Sequence, residues 1–378
     1  MSFWQQLPLP IIGLAPMDGV TDAAFRQIVA RHGNPDVIFT EFTHVGDLFH
    51  GQPKAFEAFR YSENERPIVA QLYGKDPDQF YTAAQVVCAL GFDGLDINMG
   101  CPSKNVASSG SGAGLIKTPE LALAIMASAR QGIFDWASGQ SLAEGGVKTR
   151  VIDYLRHSPF HRTETCSRQP IPLSVKTRLG YDSVIIDEWS QCLIAGRPTV
   201  ISIHGRTLTQ MYKGAANWEA IGQVSETIRN HGILLLGNGD IQSLPDALSH
   251  IRQHAVDGIL IGRAALGNPW IFQAKNLMRE AIQQGTNPCF PEPLISRDRR
   301  FSMALEHARL FETLQEHKYF PRMRKHLAWY CSGFPHAAAL RAQMVRTTAS
   351  EDIERILSDF QATDATAHLS EPIASTTS

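Results

Sequence analysis

The chain lacks most of the features that mark an exported, metal-stapled or membrane-bound protein. Its six cysteines (Cys88, Cys101, Cys166, Cys192, Cys289 and Cys331) are scattered over 378 residues without one C-x-x-C pair. That spacing disfavours a zinc site or a disulfide framework and fits a reducing compartment. The opening Met1-Ser-Phe-Trp-Gln-Gln-Leu-Pro8 has neither the basic start nor the apolar core of a signal peptide. No apolar run approaches membrane-spanning length. A cytoplasmic protein with no metal and no membrane partner is therefore expected. A net charge of −2 gives no global nucleic-acid signal. A hydrophobic fraction of 43% with 19% charged residues supports a full core, and the length suits a large domain with a smaller appendage.

What the chain does have is a repeated pattern. Eight apolar runs recur between segments of helical composition: Ile11–Ala15, Val37–Thr40, Ile68–Leu72, Gly94–Asn98, Leu173–Thr177, Val200–Ile203, Ile233–Leu236 and Gly258–Ile261. Strand alternating with helix, eight times, predicts an α/β protein, a (β/α)8 TIM barrel, with an open doubly wound sheet as the competing architecture. The runs end on Pro16-Met17-Asp18, Glu41, Gln71, Asn98 with Cys101, Lys176 with Arg178, His204-Gly-Arg206, Asn238-Gly-Asp240 and Gly262-Arg263. Polar groups at one end of nearly every strand describe the mouth of a barrel, where such enzymes place their sites.

Three of these ends carry chemistry. Cys101 closes its run in Gly100-Cys-Pro102 and precedes the glycine-studded Ser108–Gly114, a loop setting that favours a reactive thiol over a packed structural one. Lys176 sits inside Ser174-Val-Lys-Thr-Arg178, where an ordinary strand would bury an ammonium without a partner. Gly237-Asn-Gly-Asp240 and Gly262-Arg263 end the seventh and eighth strands, the usual place for a phosphate in this architecture. There, glycines admit backbone N–H groups and arginine supplies a charged fork.

Charge is unevenly spread toward the C-terminus. Arg297 to Arg346 holds ten basic and four acidic residues, a net of +6, and includes Tyr319, Phe320, Trp329 and Tyr330. The expected division is a barrel over 1–290, a helical domain over 291–360, whose charge alone fits an ordinary solvated basic face, and a disordered tail over 361–378.

The ordered motifs Ala15-Pro-Met-Asp-Gly-Val-Thr-Asp22, Asn98-Met-Gly-Cys-Pro102, Val175-Lys-Thr-Arg178, His204-Gly-Arg-Thr207, Gly237-Asn-Gly-Asp240 and Ile261-Gly-Arg-Ala264 resemble the signature set of the tRNA-dihydrouridine synthases. The likeness continues through Met211-Tyr-Lys-Gly214, Gly267-Asn-Pro-Trp270 and Arg324-Lys-His-Leu-Ala-Trp-Tyr330, nearest to the bacterial branch. The resemblance implies FMN as bound cofactor, NADPH (with NADH as alternative) as reductant and a uridine of tRNA as substrate. It makes 291–360 the tRNA-binding domain, with Tyr319, Phe320, Trp329 and Tyr330 available for base or loop contacts. A monomeric protein is expected. It implies Cys101 as the proton donor. It places Pro16, Met17, Asp18, Gln71, Lys176, His204, Asn238, Gly239, Asp240, Gly262 and Arg263 on the cofactor. Asn98, Arg178, Arg324 and Lys325 fall to the substrate. An FMN-dependent small-molecule oxidoreductase of the dihydropyrimidine or dihydroorotate type is the alternative, which leaves the basic C-terminal segment unexplained. One segment departs from the family pattern. Residues 132–169 form an atypical insertion after the fourth helix, expected to emerge at the barrel face opposite the site.

Overall fold

Period-two alternation and β-branched residues put the apolar runs into strands, and the helices between them force those strands parallel. The computed structural model describes residues 2–158, 168–290 and 295–369. Among the described residues the strands are β1 (Ile11–Leu14), β2 (Ile38–Phe39), β3 (Thr43–His44), β4 (Ile68–Tyr73), β5 (Gly94–Met99), β6 (Leu173–Arg178), β7 (Val200–His204), β8 (Leu234–Asn238) and β9 (Gly258–Ile261). All pairings are parallel, and β1 pairs with both β9 and β2, so the sheet closes. The closed eight-stranded barrel replaces the open-sheet alternative.

The second barrel strand differs from the expected Val37–Thr40. It is split into β2 and β3, both of which lie along β4. The Thr40 hydroxyl explains the break. It accepts from the Gln71 N–H at 3.0 Å and donates to the Glu41 carbonyl at 2.9 Å, standing in for ladder bonds while Glu41 is turned out of the sheet.

The barrel interior is apolar at its N-terminal end. Trp4, on a short turn of helix over Phe3–Gln5, packs with Ile11, Ala15, Val37, Phe39, Val69, Val200, Leu236 and Leu260 as a floor. Beside it the buried Asp36 carboxylate accepts from the Ile12 N–H at 2.7 Å and pairs with Lys275 at 2.7 Å and with Arg279. Arg279 also donates to the Pro10 carbonyl, tying the helix Lys275–Gln284 to the start of β1. A second buried pair, Arg26–Glu65 at 2.8 Å, ties the helix Ala23–His32 to the turn before β4.

Two compact units emerge: residues 1–265 with 270–291, and residues 266–269 with 292–378. The second unit contains the helices Arg297–Leu314, Arg324–Tyr330, Ala337–Met344 and Ser350–Leu369. Its core includes Phe301, Phe311, Phe320, Leu327, Tyr330 and Leu340. The last helix runs through 361–369, where composition predicts a tail; 370–378 lie outside the described residues.

The first residues of the insertion finish the helix Pro119–Ala137, and later ones pack on the helices Val45–Phe49, Pro53–Glu57 and Pro77–Ala89. The Gly145 carbonyl accepts from Gln85, and the helix Thr149–Arg156 lays Tyr154 on Phe56 with ring centroids 4.1 Å apart. Lys148 stands over the Phe49 ring, with its Nζ 3.1 Å from His50 Nδ1. Cys166 lies outside the described residues. Among the described residues no helix is long and apolar enough to cross a membrane.

Candidate active site

The C-terminal half of the barrel interior is polar, and its side chains form one hydrogen-bonded set. Alternation along β5 turns Asp96 and Asn98 inward. Asp96, fully buried, accepts from Ser174 Oγ at 2.6 Å and from Gln71 Nε2 at 2.8 Å. Gln71 Oε1 accepts from Asn98 Nδ2 at 2.9 Å. Asn98 Oδ1 accepts from the backbone N–H groups of Gly100 (3.0 Å) and Cys101 (2.8 Å). Burial pushes the Asp96 carboxyl up to about 6, against the hydrogen bonds from Ser174 and Gln71 and the charge of Lys176.

Cys101 stands at the end of β5 in a loop, as expected, yet it is only 7% exposed. The glycine-rich stretch closes over it, since a Cβ on Gly112 would lie 3.1 Å from Cys101 Cβ. The other side of the loop is held by Arg178, whose Nε donates to the Gly100 carbonyl at 2.6 Å and whose Nη1 donates to the Thr207 carbonyl at 3.2 Å. Burial raises the Cys101 thiol above its usual 9, opposed by the Ser103 N–H and reinforced by Asp18. The group is a thiol at neutral pH.

Lys176 has the partner its sequence setting does not reveal. Its Nζ donates to Asn238 Oδ1 at 3.1 Å, while Asn238 Nδ2 donates to the Leu260 carbonyl at 2.8 Å. Burial, with help from Arg178, lowers the Lys176 ammonium to about 8. Beside it on β7, Ser202 Oγ is buried without a hydrogen-bond partner. His204 is held neutral: burial and the charges of Lys176, Arg178, Arg206 and Arg263 lower it to about 2. Arg206 Nη1 lies 3.4 Å from His204 Nε2. A guanidinium only donates, so the imidazole proton sits on Nδ1.

At the ends of β8 and β9 the glycines do different work. Gly237 makes room for Trp218, whose ring would be 2.2 Å from an added Cβ, so this position serves packing and not an anion. Gly239 adopts φ 132°, a conformation side chains resist. Asp240 receives Arg206 at 2.5 Å, the Ala216 N–H at 2.8 Å and Arg263 at 2.7 Å. Arg206 is buried and Arg263 more than half exposed, so Arg206 neutralises Asp240 and leaves Arg263 able to turn to an incoming anion. Gly262 faces Met17 in the turn after β1, where the Thr21 hydroxyl bonds both the N–H and the carbonyl of Met17. Pro16 is half-buried in this turn and Asp18 exposed.

The barrel therefore gathers the expected Met17, Gln71, Asn98, Cys101, Lys176, Arg178, His204, Asn238, Gly239, Asp240, Gly262 and Arg263 around its mouth. Sequence reasoning places Glu41 and Arg206 among the polar strand ends without giving them a role, and passes over Asp96. Glu41 lies where β2 and β3 part; burial and the carboxylates of Asp22 and Asp18 push it up to about 7, opposed by Arg26 and the Gly19 N–H. Its place at a strand end is the available signal.

In the helical unit, Arg324 Nε donates to the Thr347 carbonyl at 2.9 Å, so part of that guanidinium is structural, and Lys325 is half-buried. Phe320 and Tyr330 are core residues and unavailable to a base, contrary to their expected role.

The model of the Dihydrouridine synthase (Dus) family matches residues 13–133 and 163–366. The unmatched stretch between falls within the insertion. The "Probable tRNA-dihydrouridine synthase 2" of Bacillus subtilis (strain 168) is 33% identical over 368 residues, covering 95% of this chain and 97% of that protein. A "Probable tRNA-dihydrouridine synthase" of Staphylococcus aureus (strain COL) is 32% identical over 377 residues, covering 96% of each. With most of its length accounted for in this way, the chain belongs to the dihydrouridine synthase family.

Proposed function

We propose that this enzyme reduces the carbon 5–carbon 6 double bond of a uridine in tRNA, with FMN at the barrel mouth, NADPH as reductant and Cys101 as proton donor. The observation that carries the reading is Cys101, a protonated thiol clamped at a strand end next to a cationic mouth. The donor set fits a flavin mononucleotide. Lys176 has N–H groups beyond the one given to Asn238, Ser202 Oγ is unpartnered, and Arg263 is exposed beside a carboxylate already neutralised by Arg206. Pro16, Met17, Asp18, Gln71, Lys176, His204, Asn238, Gly239, Asp240, Gly262 and Arg263 would hold it.

Bound FMN, reduced by NADPH, would supply hydride. The uracil double bond is conjugated to the carbon 4 carbonyl, so hydride enters at carbon 6 and negative charge spreads from carbon 5 onto oxygen 4. Cys101 delivers its proton to carbon 5, and the thiolate recovers one from water. Arg178 keeps its charge at neutral pH, although burial lowers it to about 10, and it stabilises the developing anion. Asn98 offers an amide N–H to the base. Neutral His204 acts as a hydrogen-bond donor rather than an acid. In the helical unit the exposed Arg322, Arg341 and Arg346 are candidates for RNA phosphates, with Arg324 and Lys325 in supporting positions.

The test is direct. Purified protein with FMN, NADPH and unmodified tRNA is expected to form dihydrouridine, measured by nucleoside mass spectrometry. Reduction of free uracil or orotate in preference to tRNA would favour the small-molecule alternative instead.

A further inference from the structure

The amide chain in the barrel has a direction. Backbone N–H groups only donate, so Gly100 and Cys101 require an oxygen from Asn98. Asn98 must then turn its nitrogen to Gln71, which has to answer with its oxygen. Gln71 is left with its nitrogen facing Asp96. Only an acceptor there completes the sequence, and a carboxylate cannot be turned round to present a donor. Ser174 occupies the other oxygen of Asp96.

We propose that Asp96 is a positioning residue for the reaction: as obligate acceptor it sets the polarity of Gln71 and Asn98, and so clamps the Cys101 loop. The proposal rests on the reading of Cys101 as proton donor. A core built for stability alone would place an aliphatic residue at this fully buried position, because desolvating a carboxylate is costly. The cost is understandable if the acceptor is needed. It also gives the two amides defined faces toward the mouth: each keeps one N–H beyond the chain, by the inventory of a primary amide. Without the acceptor, Gln71 gains by reversing, Asn98 must follow, and its nitrogen then confronts two backbone N–H groups.

The conservative exchange separates acceptor from charge. In Asp96→Asn the amide oxygen can face Gln71 while its nitrogen donates to Ser174 Oγ, whose own proton turns to the Leu95 carbonyl 3.4 Å away. Asp96→Leu offers no acceptor. The main readout is the rate at which iodoacetamide alkylates Cys101 in the FMN-loaded protein, followed on its own peptide by mass spectrometry. Losing the clamp opens the loop, and one buried hydrogen bond corresponds to roughly five- to tenfold in that rate. Asp96→Leu is therefore expected to be alkylated about tenfold faster. Its kcat for dihydrouridine formation should fall about tenfold with KM for tRNA within about twofold. Asp96→Asn should recover most of both effects. Gln71→Met breaks the chain one link nearer the thiol without changing volume much, and should speed alkylation alike even if Asp96→Leu does not fold.

Wild-type alkylation in Gln71→Met or in folded Asp96→Leu overturns the proposal. So does an Asp96→Asn variant alkylated as fast as the leucine variant, since charge and not the acceptor would then matter. Full dihydrouridine formation by Cys101→Ala would instead overturn the proton-donor reading, leaving the alkylation result to stand on its own.

Discussion

Replacing Cys101 by alanine tests the chemistry with little structural disturbance. The residue is 7% exposed, and its loop is held through backbone groups, by the Asn98 oxygen on one side and the Arg178 guanidinium on the other. None of these bonds involves the sulfur. Losing one buried sulfur costs about 1 kcal/mol, a small part of a domain's stability. The catalytic effect is expected to be far larger. Removing a general acid costs about 10²–10⁴ in rate, equivalent to about 3–5 kcal/mol in the barrier. The two halves of the reaction should separate. Flavin reduction by NADPH, followed by loss of absorbance in a stopped-flow instrument, should stay within about twofold of wild type. Dihydrouridine formation in a single turnover on tRNA should fall at least about a hundredfold. Because burial lifts the thiol above 9, the wild-type rate should be level through neutral pH and decline only in alkaline buffer, where the proton is lost. Cys101→Ala should show no such decline. Wild-type single-turnover rates in this variant would falsify the assignment, and an alkaline decline that survives the substitution would move it to another group.

Arg263→Ala removes the exposed cation of the proposed phosphate cradle and should weaken FMN retention by about 1.5–3 kcal/mol, or roughly ten- to a hundredfold in Kd, by fluorescence titration. Glu41→Gln should change how stability depends on pH. The native state holds the Glu41 proton up to about 7, whereas an unfolded chain releases it near 4.5, so stability drops as pH rises between these values. The drop is at most about 3 kcal/mol, and the variant's Tm against pH should be flatter over that interval. In the helical unit, neutralising the exposed Arg322, Arg341 and Arg346 together should weaken tRNA binding. The slope of log K against log[salt] should shrink by up to about 0.9 for each duplex phosphate that is no longer neutralised. Arg324→Ala, by contrast, should lower Tm as well, because its Nε holds the Thr347 carbonyl.

The parts legible in the sequence are those fixed by local pattern. Eight apolar runs announce the strands, and the polar residue closing each run announces the mouth, because strand register carries such residues to the same end. What escapes depends on partners distant in sequence. Arg206 looks like one letter of His204-Gly-Arg-Thr207 until Asp240 folds against it. Gly237 reads as an anion-binding glycine until Trp218 fills its space. Lys176 reads as unpaired because Asn238 is 62 residues away. Phe320 and Tyr330 escape for another reason: aromatic rings serve a small helical core as readily as an RNA surface, and composition does not distinguish the two. The break between β2 and β3 turns on one threonine hydroxyl, a substitution for ladder bonds that no propensity scale registers.

The Asp36 cluster has a consequence for how the barrel is made. Its carboxylate is synthesised early, whereas Arg279 follows 243 residues later. For most of that interval β1 also lacks β9, its neighbour on one side. A ribosome therefore extrudes strand after strand of a sheet that has two raw edges and an uncompensated charge near its first strand. Closure and charge neutralisation then arrive together, as β9 and the helix Lys275–Gln284 emerge within a few seconds of each other at ordinary elongation rates. Nascent chains arrested before Lys275 should be protease-sensitive and bound by chaperones, and those arrested some tens of residues beyond Gln284 should be resistant. The barrel is a bracelet whose clasp is the last link cast.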